Sequence, residues 1–195
     1  MEKIVLASQS PRRKQLLEWA EVEFDLIAKQ TDELSPAGLE PEQTAIYIAR
    51  QKALAVQRSD IFGRYESNPI ILAADTLVVL DDQLIGKPEN REDAIRILRS
   101  LSGKKHEVIT GVVIMNREEE ISFADITEVW FRELTIDQIE YYIDKYKPYD
   151  KAGAYAIQEW IGVIGVRAIS GDFFNVMGLP VSRVLAALDQ MTNQE

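Results

Sequence analysis

One carboxylate and one hydroxyl interrupt the apolar run Leu72-Ala73-Ala74-Asp75-Thr76-Leu77-Val78-Val79-Leu80. In an α/β chain such a run reads as a buried strand, where an ionised aspartate is costly unless it is paired, hydrogen bonded or bound to a metal. Asp75 therefore needs a partner. Asp32-Glu33, Gly86-Lys87-Pro88 and Asp150-Lys151 supply the candidates. The alternative is that Asp75 caps a turn between two short strands. A second concentration of chemistry is Ser8-Gln9-Ser10-Pro11-Arg12-Arg13-Lys14, which gathers consecutive cations in an acidic protein. Ser10 before Pro11 predicts a helix start, with a hydroxyl N-cap and proline at the first helical position. A strand that delivers such a turn to a helix N-terminus makes an anion site, because free backbone N–H groups and the helix dipole both point at the turn. Arg12 and Arg13 oppose that dipole. Phosphate binding is the expectation for them, and a solvated first turn the alternative.

The composition narrows the chemistry further. The sequence has no cysteine and a single histidine, His106, so disulfides, thiolate metal sites, cysteine nucleophiles and multi-histidine zinc sites are all excluded. Any metal must be held by oxygen ligands, which suits a hard ion such as Mg²⁺ or Mn²⁺. A formal net charge of −10 argues against non-specific binding to nucleic acid or to an anionic membrane. With 46% hydrophobic and 28% charged residues the balance is that of a globular protein. No apolar stretch approaches the roughly 20 residues of a membrane span. The first residues run straight into a strand pattern, too short and wrongly flanked for a signal peptide, and the expected address is the cytoplasm. The length of 195 residues predicts a single compact domain over residues 1–195.

The elements that must position these residues alternate along the chain. Ile4-Val5-Leu6-Ala7 reads as a buried strand, followed by the helix carrying Leu16, Leu17 and Ala20. Residues 23–28 alternate as a strand, and Thr31-Asp32-Glu33 lies in the loop beyond. Pro41 opens a long helix with Ala45, Ile48, Ala49, Ala53 and Val56 at helical spacing and Arg50 and Lys52 on its flank. On spacing alone Lys52 reads as a solvated residue or half of an i, i+4 pair. A polar linker over 58–68 precedes the central run. Asp81-Asp82-Gln83 then predicts a hairpin that returns Lys87 toward Asp75. Asn90, Ala94, Ile97, Leu98, Leu101 and Gly103 mark a capped amphipathic helix. Strands are expected over 108–115 and 120–131. Thr135-Ile136-Asp137-Gln138 has capping-box spacing and starts a helix with Ile139, Tyr142, Ile143 and Tyr146, which Pro148 stops. A turn rich in small residues spans 149–158, further strands are expected over 161–169 and 173–176, and Gly178-Leu179-Pro180 introduces a last helix with Val184, Leu185 and Leu188 inward. There is no internal repeat. The pattern is that of an α/β fold with a mixed, twisted sheet flanked by helices.

Laid out in order, Ser8-Gln9-Ser10-Pro11-Arg12-Arg13, Ala74-Asp75-Thr76, Gly86-Lys87-Pro88, Leu101-Ser102-Gly103, Thr110-Gly111, Asp150-Lys151-Ala152-Gly153-Ala154-Tyr155, Ile157-Gln158 and Gly178-Leu179-Pro180 make the chain resemble the Maf family of nucleoside triphosphate pyrophosphatases, also called septum formation inhibitor proteins. The resemblance covers nearly the whole chain. It implies an α/β fold like that of the inosine triphosphatases, with a central substrate cleft. The pattern is most similar to the branch that hydrolyses dTTP and UTP, which is read from Arg12, Thr76 and Gln158. The branch acting on 7-methyl-GTP typically has Trp where Arg12 stands, and Trp offers a stacking face for a cationic purine. Gln158 both donates and accepts, which suits a uracil or thymine edge. The family usually follows this Gln with Gly and a small polar residue, whereas here Glu159 and Trp160 follow.

What the resemblance implies for chemistry is hydrolysis between the α and β phosphates, giving a nucleoside monophosphate and pyrophosphate and removing non-canonical or excess nucleotides. Asp75 takes the role of proton acceptor and shares a divalent cation with Glu33, which matches an acidic family position. Arg13, Lys52 and Lys87 look like a phosphate clamp, with the Ser8 and Ser10 hydroxyls behind them. A homodimer is implied by the same resemblance. The opposing reading is a protein that grips a nucleotide without turnover, as a regulator of cell division. Asp75 separates the two, since a carboxylate beside phosphates serves a binder only if a metal is required.

Overall fold

A computed structural model describes residues 3–65 and 68–192. Residues 66 and 67 of the polar linker, and residues 1 and 2 ahead of the first strand, lie outside the described residues. In chain order the regular elements are β1 (Ile4–Leu6), α1 (Pro11–Trp19), β2 (Phe24–Leu26), α2 (Pro41–Gln57), β3 (Ile71–Leu80), β4 (Gln83–Ile85), α3 (Arg91–Leu101), β5 (Lys105–Met115), β6 (Glu120–Phe131), α4 (Ile136–Tyr146), α5 (Trp160–Gly165), β7 (Val166–Ser170), α6 (Phe173–Met177) and α7 (Val181–Thr192). The strands form a mixed seven-stranded sheet in the order β2-β1-β3-β5-β6-β7, with β4 paired to β3. The α/β class and the mixed sheet flanked by helices agree with the sequence reading. None of the described helices is long and apolar enough to cross a membrane.

The chain divides into two compact units, and the long strands β3, β5 and β6 contribute to both. The first unit holds Met1–Asp75, Thr110–Asp125 and Gly178–Glu195. Here β1 runs parallel to β2, with Ile4 opposite Phe24, and parallel to β3, with Val5 opposite Ile71. The long helix α2 buries Ala45, Ile48, Ala49, Ala53 and Val56, the stripe that its spacing predicts. Ala49, Ala53 and Val56 pack with Val5, Ala7, Ile71, Ala73, Val113 and Met115 in one apolar core. Gly111 explains part of the Thr110-Gly111 motif. A Cβ at Gly111 would lie 2.3 Å from the backbone of Ala45 and Ile46, so only glycine lets α2 lie this close to β5. In α7, Val184 and Leu188 are buried as expected, whereas Leu185 is only half-buried and Ala187 and Met191 complete the inner face.

The second unit holds Thr76–Ile109 and Ile126–Met177. Its hairpin pairs Leu80 with Gln83 across Asp81 and Asp82, which adopt φ of 50° and 61°. Both turn residues are thus left-handed, as the two-residue turn suited to the twist of a hairpin requires. Asn90 caps α3 by accepting from the backbone of Asp93, and Thr135 and Gln138 close the expected capping box on α4.

Three of the expected elements change. The second strand is shorter than 23–28, being confined to Phe24–Leu26. Residues 161–169 divide into helix α5 and strand β7. A short run of β-branched apolar residues does not distinguish helix from strand by period, and the amides of Gly162 and Val163, which return to the Glu159 carbonyl, close the helical turn. Residues 173–176 form helix α6, because the Asp172 carboxylate accepts from the Phe174 amide and starts a helical turn.

Candidate active site

The cationic turn between β1 and α1 lies within the first unit. Strand β1 delivers Ser8 to a buried position, where its Oγ accepts from the Ser10 amide at 3.2 Å and from Arg13 Nη1 at 3.3 Å. Arg13 Nε donates to the Gly178 carbonyl at 2.7 Å, so the Gly178-Leu179-Pro180 motif serves as a backbone anchor for this guanidinium. Arg13 is itself buried. Desolvation pulls it below the ordinary arginine value and Arg12 adds to the shift, while the charges of Asp75 and Glu33 oppose it. Ser10 holds the N-cap position of α1, but its hydroxyl does not cap the first turn as the sequence suggested. The dipole end of α1 thus carries two guanidiniums and no side-chain cap, an arrangement suited to an anion. Arg12 is half-buried beside them.

Asp75 lies in the middle of β3 and is buried, which rules out the reading of a turn cap. Its partner is Lys52. Lys52 Nζ donates to Asp75 Oδ1 at 2.5 Å and to Glu33 Oε1 at 3.0 Å. Helix α2 sets this geometry, because its buried stripe fixes the rotation that turns Lys52 from the flank toward β3. The side chain of Lys52 is 16% exposed and that of Asp75 9%, against 43% for Glu33. One ammonium therefore links a strand carboxylate to an acidic loop. Arg50, two residues earlier, is committed elsewhere, with a two-nitrogen ion pair to Glu120 and a bond to Ser122. The reading of Lys52 as a solvated residue does not hold.

The donor set fits a hard divalent cation. Among the described residues there is no cluster of three or more Asp, Glu, His or Cys side chains arranged around an ion. Asp75 and Glu33 nevertheless direct oxygens at one position, held here by an ammonium. Two carboxylates are what Mg²⁺ commonly takes from a protein when waters and substrate phosphates complete its shell.

In the second unit, Thr76 follows Asp75 along β3 and is half-buried, and Lys87 lies exposed just beyond β4. Gln158 is exposed in a turn closed by the Glu159 amide on the Ala156 carbonyl, at 3.1 Å. Lys151 is buried and pairs with Asp150 at 2.7 Å. Sequence reasoning missed one feature of this region. The Tyr142 hydroxyl donates to Glu159 Oε2 and accepts from the Ala156 amide at 3.1 Å. The signal for it was present, since the capping box at Thr135 places Tyr142 on the inner face of α4 with Ile139 and Ile143.

The first unit thus gathers a two-guanidinium helix start, a half-buried lysine and two carboxylates within a mixed α/β fold. The family model described as Maf-like protein matches residues 3–191, and the chain belongs to that family. Among similar proteins, the dTTP/UTP pyrophosphatase of Porphyromonas gingivalis is 47% identical over 92% of this chain and 89% of its own. That of Cytophaga hutchinsonii is 48% identical over 98% of this chain and 85% of its own. That of Bacteroides fragilis (strain YCH46) is 47% identical over 97% and 96% respectively.

Proposed function

We propose that this protein is a nucleoside triphosphate pyrophosphatase that hydrolyses dTTP and UTP to the monophosphate and pyrophosphate. The observation that carries the reading is the Lys52 ammonium held between Asp75 and Glu33 in the unit that also carries the Arg13 turn. The similarity to dTTP/UTP pyrophosphatases over nearly the whole chain supports the substrate class.

Cleavage requires water to attack the α phosphorus in line with the bond to the bridging oxygen, which leaves with pyrophosphate, and a base to take the proton of the water. Asp75 is that base. In the free protein Lys52 engages Asp75 Oδ1. Phosphate oxygens compete for the same ammonium, which releases a carboxylate oxygen of Asp75 to accept the proton. Arg13, already aligned by Ser8 and the Gly178 carbonyl, offers fixed donors to phosphate, and Lys52 acts as a mobile point charge. Ser10 and the first turn of α1 add further donors. A divalent cation held by Asp75 and Glu33 supplies neutralisation of the triphosphate charge when bound. Lys87 as a third phosphate contact, and Arg12, Thr76 and Gln158 as readers of the base, rest on their motifs.

The test is a panel of pyrimidine, purine and 7-methylated triphosphates with Mg²⁺, scored for pyrophosphate against phosphate release. Pyrophosphate from dTTP and UTP ahead of 7-methyl-GTP is the expected result. Release of single phosphates, or tight binding with no turnover, would sink the reading.

A further inference from the structure

We propose that the Tyr142 hydroxyl, with Glu159, is a positioning clamp for the turn that presents Gln158, and so sets base discrimination without touching the base. The inference rests on the pyrophosphatase reading for its functional consequence and on the second unit alone for its geometry. The turn runs from Ala156 to Glu159 and is closed by the Glu159 amide on the Ala156 carbonyl at 3.1 Å, which leaves Ile157 and Gln158 at its centre. One phenol holds both ends. Tyr142 accepts from the Ala156 amide at 3.1 Å and donates its proton to Glu159 Oε2. Every atom in this arrangement is used in its natural sense: a hydroxyl has one proton to give and lone pairs to receive.

The clamp is itself packed in the core. Tyr142 has no exposed surface and stacks on Tyr146 at 5.0 Å between ring centroids. The other carboxylate oxygen of Glu159 lies 3.8 Å from Lys151 Nζ, a buried ammonium that is already bonded to Asp150. Glu159 also starts helix α5, its carbonyl accepting from Gly162 at 3.0 Å. The turn lies directly on that helix, because a Cβ at Gly162 would fall 1.8 Å from the Ile157 carbonyl oxygen. The backbone of Gln158 is thus bounded on one side by a phenol and on another by a glycine helix. The Glu159 carboxylate thus supplies by hydrogen bonding a restraint that the backbone of the turn alone does not.

Variants of the full-length protein test this: Tyr142→Phe, Gln158→Ala, the two combined, and Glu159→Gln beside Glu159→Ala. Phenylalanine keeps the ring stacking, so a purely structural role would shift Tm alone. The clamp predicts instead that the ratio of kcat/KM for dTTP to that for GTP falls about tenfold in Tyr142→Phe, through KM for dTTP, as for one misplaced buried hydrogen bond. With GTP the kcat should be unchanged. Added to Gln158→Ala, Tyr142→Phe should cause no further loss of discrimination. Glu159→Gln, which keeps an acceptor for the phenol, should retain the ratio that Glu159→Ala loses. A wild-type ratio in Tyr142→Phe, or losses that multiply in the double variant, would overturn the proposal. A second readout needs no turnover: the Ala156 and Glu159 amides should exchange with deuterium at least several-fold faster in Tyr142→Phe. If the wild type shows no base discrimination, the functional reading fails, and amide exchange still decides the clamp: acceleration upholds it and unchanged exchange overturns it.

Discussion

Lys52 donates from Nζ to Asp75 Oδ1 over 2.5 Å, with only 16% and 9% of the two side chains exposed. The pair is unequal in what its loss leaves behind. Without Asp75, Lys52 keeps Glu33 at 3.0 Å. Without Lys52, a buried carboxylate loses the one side-chain donor that bonds it among the described residues. Removing one partner of a buried pair typically costs about 3–5 kcal/mol, because the remaining charge is uncompensated. Lys52→Met should therefore destabilise the fold by about 3 kcal/mol, and Asp75→Asn by distinctly less. The double variant should recover part of the Lys52→Met loss, as expected of contacting residues. Denaturant midpoints of the three variants check this.

Activity should order the same variants differently. Asp75→Asn keeps the shape of the side chain and removes the proton acceptor, so the protein should fold while kcat falls about 10²–10⁴-fold. Pyrophosphate release near the wild-type rate by folded Asp75→Asn would remove Asp75 from the chemistry.

Chelation addresses the carboxylate pair. The chain offers only oxygen donors and the triphosphate needs its charge neutralised, so EDTA should abolish turnover and Mg²⁺ or Mn²⁺ should restore it. Glu33→Gln should raise the metal concentration needed for half-maximal rate. Full activity without a divalent ion would remove the metal-holding role of Glu33 and leave its ion pair with Lys52 as a structural contact.

The sequence made much of this legible, and the failures have physical causes. Caps were readable because they are local: Asn90, Thr135 with Gln138, and the Asp81-Asp82 turn each depend on residues within one turn of chain. The buried stripe of α2 was readable by its period. The partner of Asp75 was not, because the Lys52 side chain reaches β3 only once the helix has packed, and spacing within α2 carries no sign of that distance. The segments over 161–169 and 173–176 were misread as strands for a related reason. Their β-branched and aromatic composition favours strands, and the bonds that close them as helices come from Glu159 and Asp172, just before each run. Ser10 shows the reverse case. Its position matches an N-cap, yet its amide is drawn to Ser8 Oγ and its hydroxyl leaves the first turn uncapped.

His106 predicts a pH dependence of stability. It is buried between Phe131 and Tyr155, with Nε2 at 2.7 Å from the Tyr155 hydroxyl and no partner for Nδ1 among the described residues. Burial pushes its pKa down from 6.5 to about 4. Between those values the unfolded chain binds more protons than the folded one, so stability rises with pH across that window. The contribution is complete above pH 6.5 and is lost as pH falls through about 4. A shift of this size corresponds to about 3 kcal/mol. Urea midpoints at pH 7 and pH 4.5 should differ for the wild type, and His106→Gln should flatten the difference. An equal slope in the variant would assign the acid sensitivity to other groups.

Base choice separates the residues that sequence motifs group together. Arg12 is half-buried beside a guanidinium already fastened to Ser8 and Gly178, whereas Gln158 is exposed at the centre of its turn. A polar site that hydrogen bonds a base edge penalises ligands that leave its donors unpaired, by about 1–3 kcal/mol per group. Arg12→Ala and Gln158→Ala should therefore lower kcat/KM for dTTP and UTP by about tenfold or more and leave purine triphosphates nearly unaffected. Lys52→Ala removes a point charge that every triphosphate meets, so its loss should be uniform across bases. Steady-state kinetics of the three variants on pyrimidine and purine triphosphates read the difference directly. A uniform loss for Arg12→Ala would place its guanidinium with Arg13 on the phosphates, and base reading would then fall to Thr76 and Gln158.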